Sequence, residues 1–353
     1  MNFGNEIIKW YQQNKRDLPW RNTRDPYLIW LSEIILQQTR IDQGLAYYHR
    51  FAEKYPDVKL LAAAKEDDVL KLWQGLGYYS RARNLHKAAK QITTAFSGKF
   101  PSEHNSIKSL KGVGDYTAAA IASIAFDLKY PVVDGNVFRL LSRFYGIETP
   151  IDTSAGKKEF TEIAGTLMRN HSPAVFNQAI MEFGSRVCKP ANPECEMCPL
   201  NISCYAFKNN CYSSFPVKKN KTKTSNRYFN YLVIQDKNSF FIRKRNAKDI
   251  WQGLHDFPMI ETKSSMKQID FLKSDDWKNT FKGHKVKLTK VSPEFKHVLS
   301  HQLIYATFYE ISADINLFNE TENQWKKVNA KSVKKYAVPK LIERYIEMLV
   351  DSR

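Results

Sequence analysis

Two carboxylates and four thiols have surroundings that suit chemistry. Glu33 lies in Leu28-Ile29-Trp30-Leu31-Ser32-Glu33-Ile34-Ile35-Leu36-Gln37-Gln38-Thr39. Helical spacing gives it Ile29, Trp30, Leu36 and Gln37 as neighbours. Such company favours the neutral carboxylic acid, the form that donates a proton. The plainer alternative is a surface glutamate at the edge of an apolar stripe. Asp134 lies in Pro131-Val132-Val133-Asp134-Gly135-Asn136-Val137, where an aspartate caps a helix N-terminus. The same carboxylate can also face a developing positive charge.

The thiols follow the pattern Cys188-x6-Cys195-x2-Cys198-x5-Cys204. Four thiolates on one short loop suit a closed metal or iron–sulfur site. Structural zinc usually takes two close Cys/His pairs, and only Cys195 and Cys198 form one. Two disulfides are the third reading; they are disfavoured in a reducing compartment and leave Cys211 over. The pattern favours a [4Fe–4S] cluster, with Cys211 a free thiol.

These groups need a helical frame. Helix-like apolar spacing runs over 6–13, 28–38, 44–54, 66–73, 81–96, 116–126, 136–145, 157–170 and 174–186. Prolines 19, 26, 56, 101, 131, 150 and 173 fall between these segments, where they cost least. Leu110-Lys111-Gly112-Val113-Gly114-Asp115-Tyr116-Thr117 leads into one helix. Two glycines at a helix start let backbone N–H groups approach a phosphate. Standing alone, Gly-x-Gly is an ordinary turn. Ala118, Ala119, Ala120 and Ala122 then permit close helix packing.

The chain of 353 residues carries 54 Lys+Arg against 36 Asp+Glu, a formal charge of +18. That excess points to a polyanionic partner, most simply nucleic acid. Hydrophobic residues make up 43%, so a folded protein is expected rather than a disordered one. No apolar run approaches a membrane span, and the first residues do not form a secretory signal. A cytoplasmic protein beside chromosomal DNA is expected. The stretch 211–227, with Lys218, Lys219, Lys221, Lys223 and Arg227, has the composition of a basic linker. Beyond it, 228–235, 239–243 and 302–312 have strand character, and 341–349 returns to helical spacing.

The cysteine spacing after a helical domain resembles the endonuclease III superfamily of DNA glycosylases, and the glycine turn resembles its helix–hairpin–helix. Superfamily members that also cut the strand carry a lysine just after the hairpin, which forms a Schiff base with the sugar. Here that residue is Tyr116. With 32–39, 134–137, Arg16-Asp17-Leu18-Pro19-Trp20-Arg21 and Gln74-Gly75-Leu76-Gly77-Tyr78-Tyr79-Ser80-Arg81-Ala82, the chain resembles the MutY family of adenine DNA glycosylases.

That resemblance implies a mainly α glycosylase domain over 1–210, with an iron–sulfur loop at 188–204. It implies a MutT-like (Nudix-fold) α+β lesion-recognition domain over 228–353, marked by Trp251-Gln252-Gly253-Leu254-His255-Asp256-Phe257-Pro258. The implied enzyme is a monomer acting on double-stranded DNA. It hydrolyses the N-glycosidic bond of adenine opposite 8-oxoguanine or guanine, without cutting the strand. The base must be flipped out of the stack. By resemblance, Glu33 protonates adenine N7 and Asp134 stabilises an oxocarbenium-like species. Tyr116 and Asn136 orient Asp134 and the sugar. The pairing parallels sugar hydrolases, one acid neutral and one ionised.

Also by resemblance, Arg21 and Gln178 contact the adenine and Trp20 walls its pocket. Gln38 and Tyr78 wedge into the base stack; from spacing alone both are packing residues. Gly112 and Gly114 bind phosphate, and family examples hold a monovalent cation on the hairpin carbonyls. Phe138 stands where some relatives carry a product-trapping lysine. The second domain lacks the glutamate-rich box of MutT-class hydrolases, and 259–290 is lysine-rich instead. It therefore binds rather than hydrolyses. Ser300 and His301, after Leu299 where the family usually has Phe, match the loop that reads 8-oxoguanine. The rivals are a pyrimidine-lesion lyase, a non-catalytic DNA-binding or electron-transfer protein, and a MutT-like hydrolase.

Overall fold

The computed structural model describes residues 2–220, 224–236, 239–281, 285–313, 325–329 and 332–351. Lys221 and Lys223 of the basic stretch lie outside them, as do 282–284 of the lysine-rich region. The chain divides into two compact units, Met1–Ala63 with Asn84–Lys221 and Ala64–Arg83 with Thr222–Arg353.

The helices, in chain order, are α1 (Phe3–Asn14), α2 (Pro26–Leu36), α3 (Ile41–Lys54), α4 (Val58–Ala63), α5 (Glu66–Trp73), α6 (Ser80–Ala95) and α7 (His104–Lys108). They continue with α8 (Asp115–Phe126), α9 (Gly135–Tyr145), α10 (Ser154–Met168), α11 (Pro173–Arg186) and α12 (Tyr205–Lys208). Local chemistry sets several of these ends. Asp25 caps α2, with Pro26 at the first position where a missing N–H costs nothing. Thr153 caps α10 through Gly156 N, and α11 again starts on a proline. α9 ends on Gly146 in the left-handed conformation, which satisfies its last carbonyls.

In the first unit, α1, α9, α10 and α11 share a core of Ile7, Val137, Leu141, Phe160, Ile180 and Phe183. The α8 alanines are buried, so α2, α7 and α11 pack closely against that helix. Nearly every α2 side chain is covered, including Ile29, Leu31, Ile34 and Ile35. Glu33 therefore sits on the helix with the least polar company in the unit.

The second unit holds an eight-stranded sheet among the described residues. Its strands are β1 (Ser225–Asp236), β2 (Ser239–Lys244), β3 (His255–Asp256), β4 (Met259–Thr262), β5 (Lys287–Val291), β6 (Phe295–Val298), β7 (Gln302–Ser312) and β8 (Trp325–Asn329). The main path is β3-β2-β1-β7-β5, and β1 and β7 run parallel from Ser225↔Gln302 to Gln235↔Ser312. Alternation along β1 builds two faces. Leu232 and Ile234 pack with Phe271 and Phe281 of α13 (Gln268–Lys273) and α14 (Asp275–Phe281). Tyr231 stacks on Phe308, which stacks on Tyr345 of α15 (Lys340–Asp351) with centroids 3.7 Å apart.

Neither α13 nor α14 is a glutamate-rich helix. Residues 64–83 also belong to this unit. Gln74 donates to Glu343 at 2.7 Å and accepts from Val338 N, and Lys71 donates to Tyr336 O. No periodicity announced that membership, because it depends on partners more than 250 positions away.

Candidate active site

The site is built where α2, α8, the α9 N-terminus and α11 converge. A cavity of about 510 Å³ is lined by Trp20, Arg21, Glu33, Tyr116, Asp134, Asn136, Gln178 and Glu182 among others. Its size falls within the ~300–1,000 Å³ range of small-ligand sites. A second, larger groove of about 1,020 Å³ is lined by Gln38, Gly114, Gly135, Phe138, Lys157 and Lys158. Glu33, Tyr116 and Asp134 line both. The two carboxylates thus stand where the pocket meets the larger groove with its lysine-bearing wall.

Burial raises the Glu33 carboxyl to about 7; the Asp134 charge adds to this, while the Tyr116 hydrogen bond and Arg21 oppose it. The Tyr116 hydroxyl donates to Met181 Sδ at 3.3 Å. A phenol has one proton and a thioether has none to give. The Tyr116 proton therefore serves either Met181 or Glu33, and turned toward Glu33 it is donated to the carboxyl, which is why that contact opposes the rise. Tyr116 thus reaches Glu33, whereas the sequence reading paired it with Asp134. Burial, with the nearby Glu33 and Asp134 charges, holds the Tyr116 phenol far above its ordinary range.

Asp134 caps α9. Its Oδ1 accepts from Asn136 N at 2.9 Å and Val137 N at 2.8 Å, and its Oδ2 from Asn136 Nδ2 at 2.7 Å. Burial pushes this carboxyl up, and those donors, with Arg139, offset only part of the rise. Three N–H groups on two oxygens are the environment of an ionised carboxylate. Arg139 fixes the arrangement from behind, donating to Asn136 Oδ1, Gly184 O and Cys188 O. A Cβ at Gly184 would stand 2.9 Å from Asn136 O. A glycine there lets α11 close on the Asp134–Asn136 turn.

The pocket wall holds the other named residues. Trp20 is buried and meets Tyr48 edge-on at 5.0 Å. Gln178 accepts from the Tyr11 hydroxyl at 2.7 Å, which leaves its amide N–H₂ for the cavity. Arg21 donates to Glu182 at 2.6 Å and to Arg16 O, with its guanidinium over the Tyr11 ring. Tyr11, Arg16 and Glu182 are the members that sequence reasoning missed as functional. One signal was available for Glu182: an acid four residues beyond Gln178, between Met181 and Phe183.

Among the hairpin residues, Gly112 takes φ +80°, and a Cβ there would fall 2.6 Å from Asn84 Cβ. Gly114 opens α8 and faces empty space. Gln38 and Tyr78 are exposed and left-handed, at φ 55° and 47°. Such backbone costs about 1–3 kcal/mol for residues other than glycine, and it concentrates at functional sites. In the second unit, Ser300 and His301 form the exposed turn between β6 and β7, and Ser300 hydrogen-bonds the Tyr78 hydroxyl.

None of the five cysteines forms a disulfide. Cys188, Cys195, Cys198 and Cys204 line one small cavity with Leu140, Phe144, Val187 and Leu200. Burial pushes Cys198 up to about 12. Arg143 approaches Cys188 Sγ at 3.5 Å and braces the loop through Lys189 O and Pro190 O. Among the described residues, no group of three or more His, Cys, Asp or Glu side chains forms a single-ion cage. Four thiols around one apolar space fit a wider, multi-iron group better than one ion.

Residues 31–165 match the family described as HhH-GPD superfamily base excision DNA repair protein, and 230–348 match a NUDIX domain. The adenine DNA glycosylase of Buchnera aphidicola subsp. Schizaphis graminum is 33% identical over 98% of both chains. The human adenine DNA glycosylase is 40% identical over 58% of this chain and 39% of its own. A thermostable thymine-DNA glycosylase superposes with TM-score 0.55 at 30% identity, over 59% of this chain and 95% of its own. The chain belongs to the adenine DNA glycosylase family, whose members are base-excision DNA repair enzymes. No helix among the described residues is long and apolar enough to cross a membrane.

Proposed function

We propose that this enzyme hydrolyses the N-glycosidic bond of adenine opposite 8-oxoguanine or guanine in duplex DNA, without cutting the strand. The observation that carries this reading is the placing of Glu33 and Asp134 at the seam of pocket and groove. A duplex strand lies along the groove, its phosphates on the N–H groups at Gly112–Gly114. The flipped adenine enters the pocket against Trp20, Arg21 and Gln178. Glu33 gives its proton to adenine N7, and the C1′–N9 bonding pair leaves with the now neutral base. Asp134 faces the oxocarbenium-like sugar. Water adds to C1′, and its proton restores Glu33. Tyr116 cannot form an imine, so no lyase step follows.

The test is a duplex carrying adenine opposite 8-oxoguanine. Breaks in the adenine strand should require alkali. Breaks without alkali, or a covalent adduct trapped by borohydride in high yield, would assign the lyase chemistry instead.

Ser300 and His301 are the lesion readers in this proposal, because a hydroxyl and an imidazole at an exposed turn can bond a modified base edge. Ser300→Ala is expected to lower the preference for 8-oxoguanine over guanine by about tenfold, the worth of one good hydrogen bond. The ratio of single-turnover rates on the two duplexes measures it; an unchanged ratio removes Ser300 from the reader.

Cys188, Cys195, Cys198 and Cys204 would hold a [4Fe–4S] cluster. When bound, that group cross-links the loop and sets its shape. Purified protein should be yellow-brown with about four iron atoms per chain, on the order expected for one such cluster. A colourless zinc protein would reverse this assignment.

A further inference from the structure

Glu182 is buried, 1% exposed, on a helix wall of the base pocket, yet it touches no reacting atom in the scheme above. It meets a concentration of positive charge. Arg16 donates to it through Nε at 2.8 Å and Nη2 at 2.6 Å, Arg21 through Nη2 at 2.6 Å, and Arg186 stands 3.9 Å away. Burial works against this carboxylate, but the two arginine hydrogen bonds outweigh it and hold the group at about 2. It is an anion at any working pH.

We propose that Glu182 is a positioning residue that keeps Glu33 in its acid form by neutralising Arg16 and Arg21 at the edge of the pocket. The proposal rests on Glu33 being the proton donor, as argued above. The charged and titratable groups that line the pocket with Glu33 are Arg16 and Arg21 from the segment before α2, Arg40 and Asp42 at the start of α3, Tyr116 of α8, Asp134 before α9, and Glu182 of α11; the groove adds His104 of α7, Asp115 of α8, and Lys157, Lys158 and Glu162 of α10. Arg21 already opposes protonation of Glu33. Without Glu182, both arginines lose their anchor, and Arg21 acts on Glu33 with its full charge. Glu33 then ionises at lower pH and has no proton to give. The clamp also fixes Arg21 over Tyr11, next to the Tyr11–Gln178 hydrogen bond.

The experiment is the pH dependence of single-turnover adenine release, with duplex affinity and a thermal melt for each variant. Glu182→Gln should move the basic limb of the profile down by about one pH unit, about a tenfold lower rate on that limb. The limb is read relative to each variant's own acid plateau, because loss of the Arg21 anchor lowers that plateau as well. Arg16→Met removes one cation while Glu182 stays paired with Arg21, so its limb should move up. The double variant Arg16→Met/Glu182→Gln should return the limb toward the wild-type position. Arg16 is partly exposed, so its variant decides the matter even where Glu182→Gln melts early. The proposal is overturned by an equal rate loss for Glu182→Gln at every pH, an unmoved limb, or an Arg16→Met limb that moves down. A wild-type profile with no basic limb, or full activity in Glu33→Gln, would instead overturn the assignment of Glu33 itself.

Discussion

Replacing Glu33 by glutamine abolishes adenine release to within measurement, a loss of at least about 10³-fold, while duplex affinity stays within about twofold. General acids contribute roughly 10²–10⁴ to such reactions. Here the alternative leaving group is an anionic purine, so the upper part of that range applies. Glutamine has the size of glutamate and can still hydrogen-bond the Tyr116 oxygen, so the pocket keeps its form. What it lacks is an acidic proton.

The wild-type pH profile follows from the same argument. Burial raises Glu33 to about 7, and in the proposed reaction its protonated form is the active one. The rate is therefore flat below about 7 and falls about tenfold per pH unit above it. Asp134 must be ionised, so activity also falls at acid pH. Single-turnover rates from pH 5 to 9 measure the basic limb, and rates at lower pH the acid one. A Glu33→Gln variant with an appreciable rate, or a wild-type rate that rises above neutrality, would falsify the acid role.

Asp134→Asn is expected to lower the rate by about 10²–10³-fold with little change in melting temperature. The two jobs of Asp134 separate under this substitution. Asparagine caps helices about as well as aspartate, and its Oδ1 can still accept from Asn136 N and Val137 N. The negative charge facing the sugar is gone. The Asn136 Nδ2 that donated to Oδ2 meets an N–H₂ instead, and must turn away. Asp134→Ala loses the cap as well and should cost about 1 kcal/mol of stability in addition. Melting curves beside single-turnover rates tell the two apart. Equal activity in Asp134→Asn and wild type would reduce Asp134 to a cap.

Most of the helical unit could be read before any coordinates. Prolines 19, 26, 56, 101, 131, 150 and 173 marked the gaps and helix starts, and the apolar spacing placed 136–145 as a helix, one residue short of the start it has in the fold. Starts were missed by a few residues where a cap lies upstream of the first apolar position. α10 begins at Ser154 under a Thr153 cap, although its apolar pattern starts later. The site was partly legible. Glu33 stood out because its neighbours along the helix are apolar, and Asp134 because Asp-Gly-Asn opens a helix. Arg16 was visible only as part of a motif, and Arg21 only through the resemblance. Their shared partner Glu182 was not, since the contact joins positions 161 and 166 residues apart.

What the linear order of residues determined by itself is local: where helices start and stop, which residue caps α9, where a backbone can approach a phosphate, and the spacing of the four thiols. Each depends on neighbours within a few positions, so each is written directly in the chain. The tertiary structure alone decided that Glu33 and Asp134 share one seam, that Tyr116 serves Glu33, that two arginines are held on Glu182, and that residues 64–83 join the second unit. These are through-space matters. Burial sets whether a carboxyl keeps its proton, and burial is made by segments far apart in the chain.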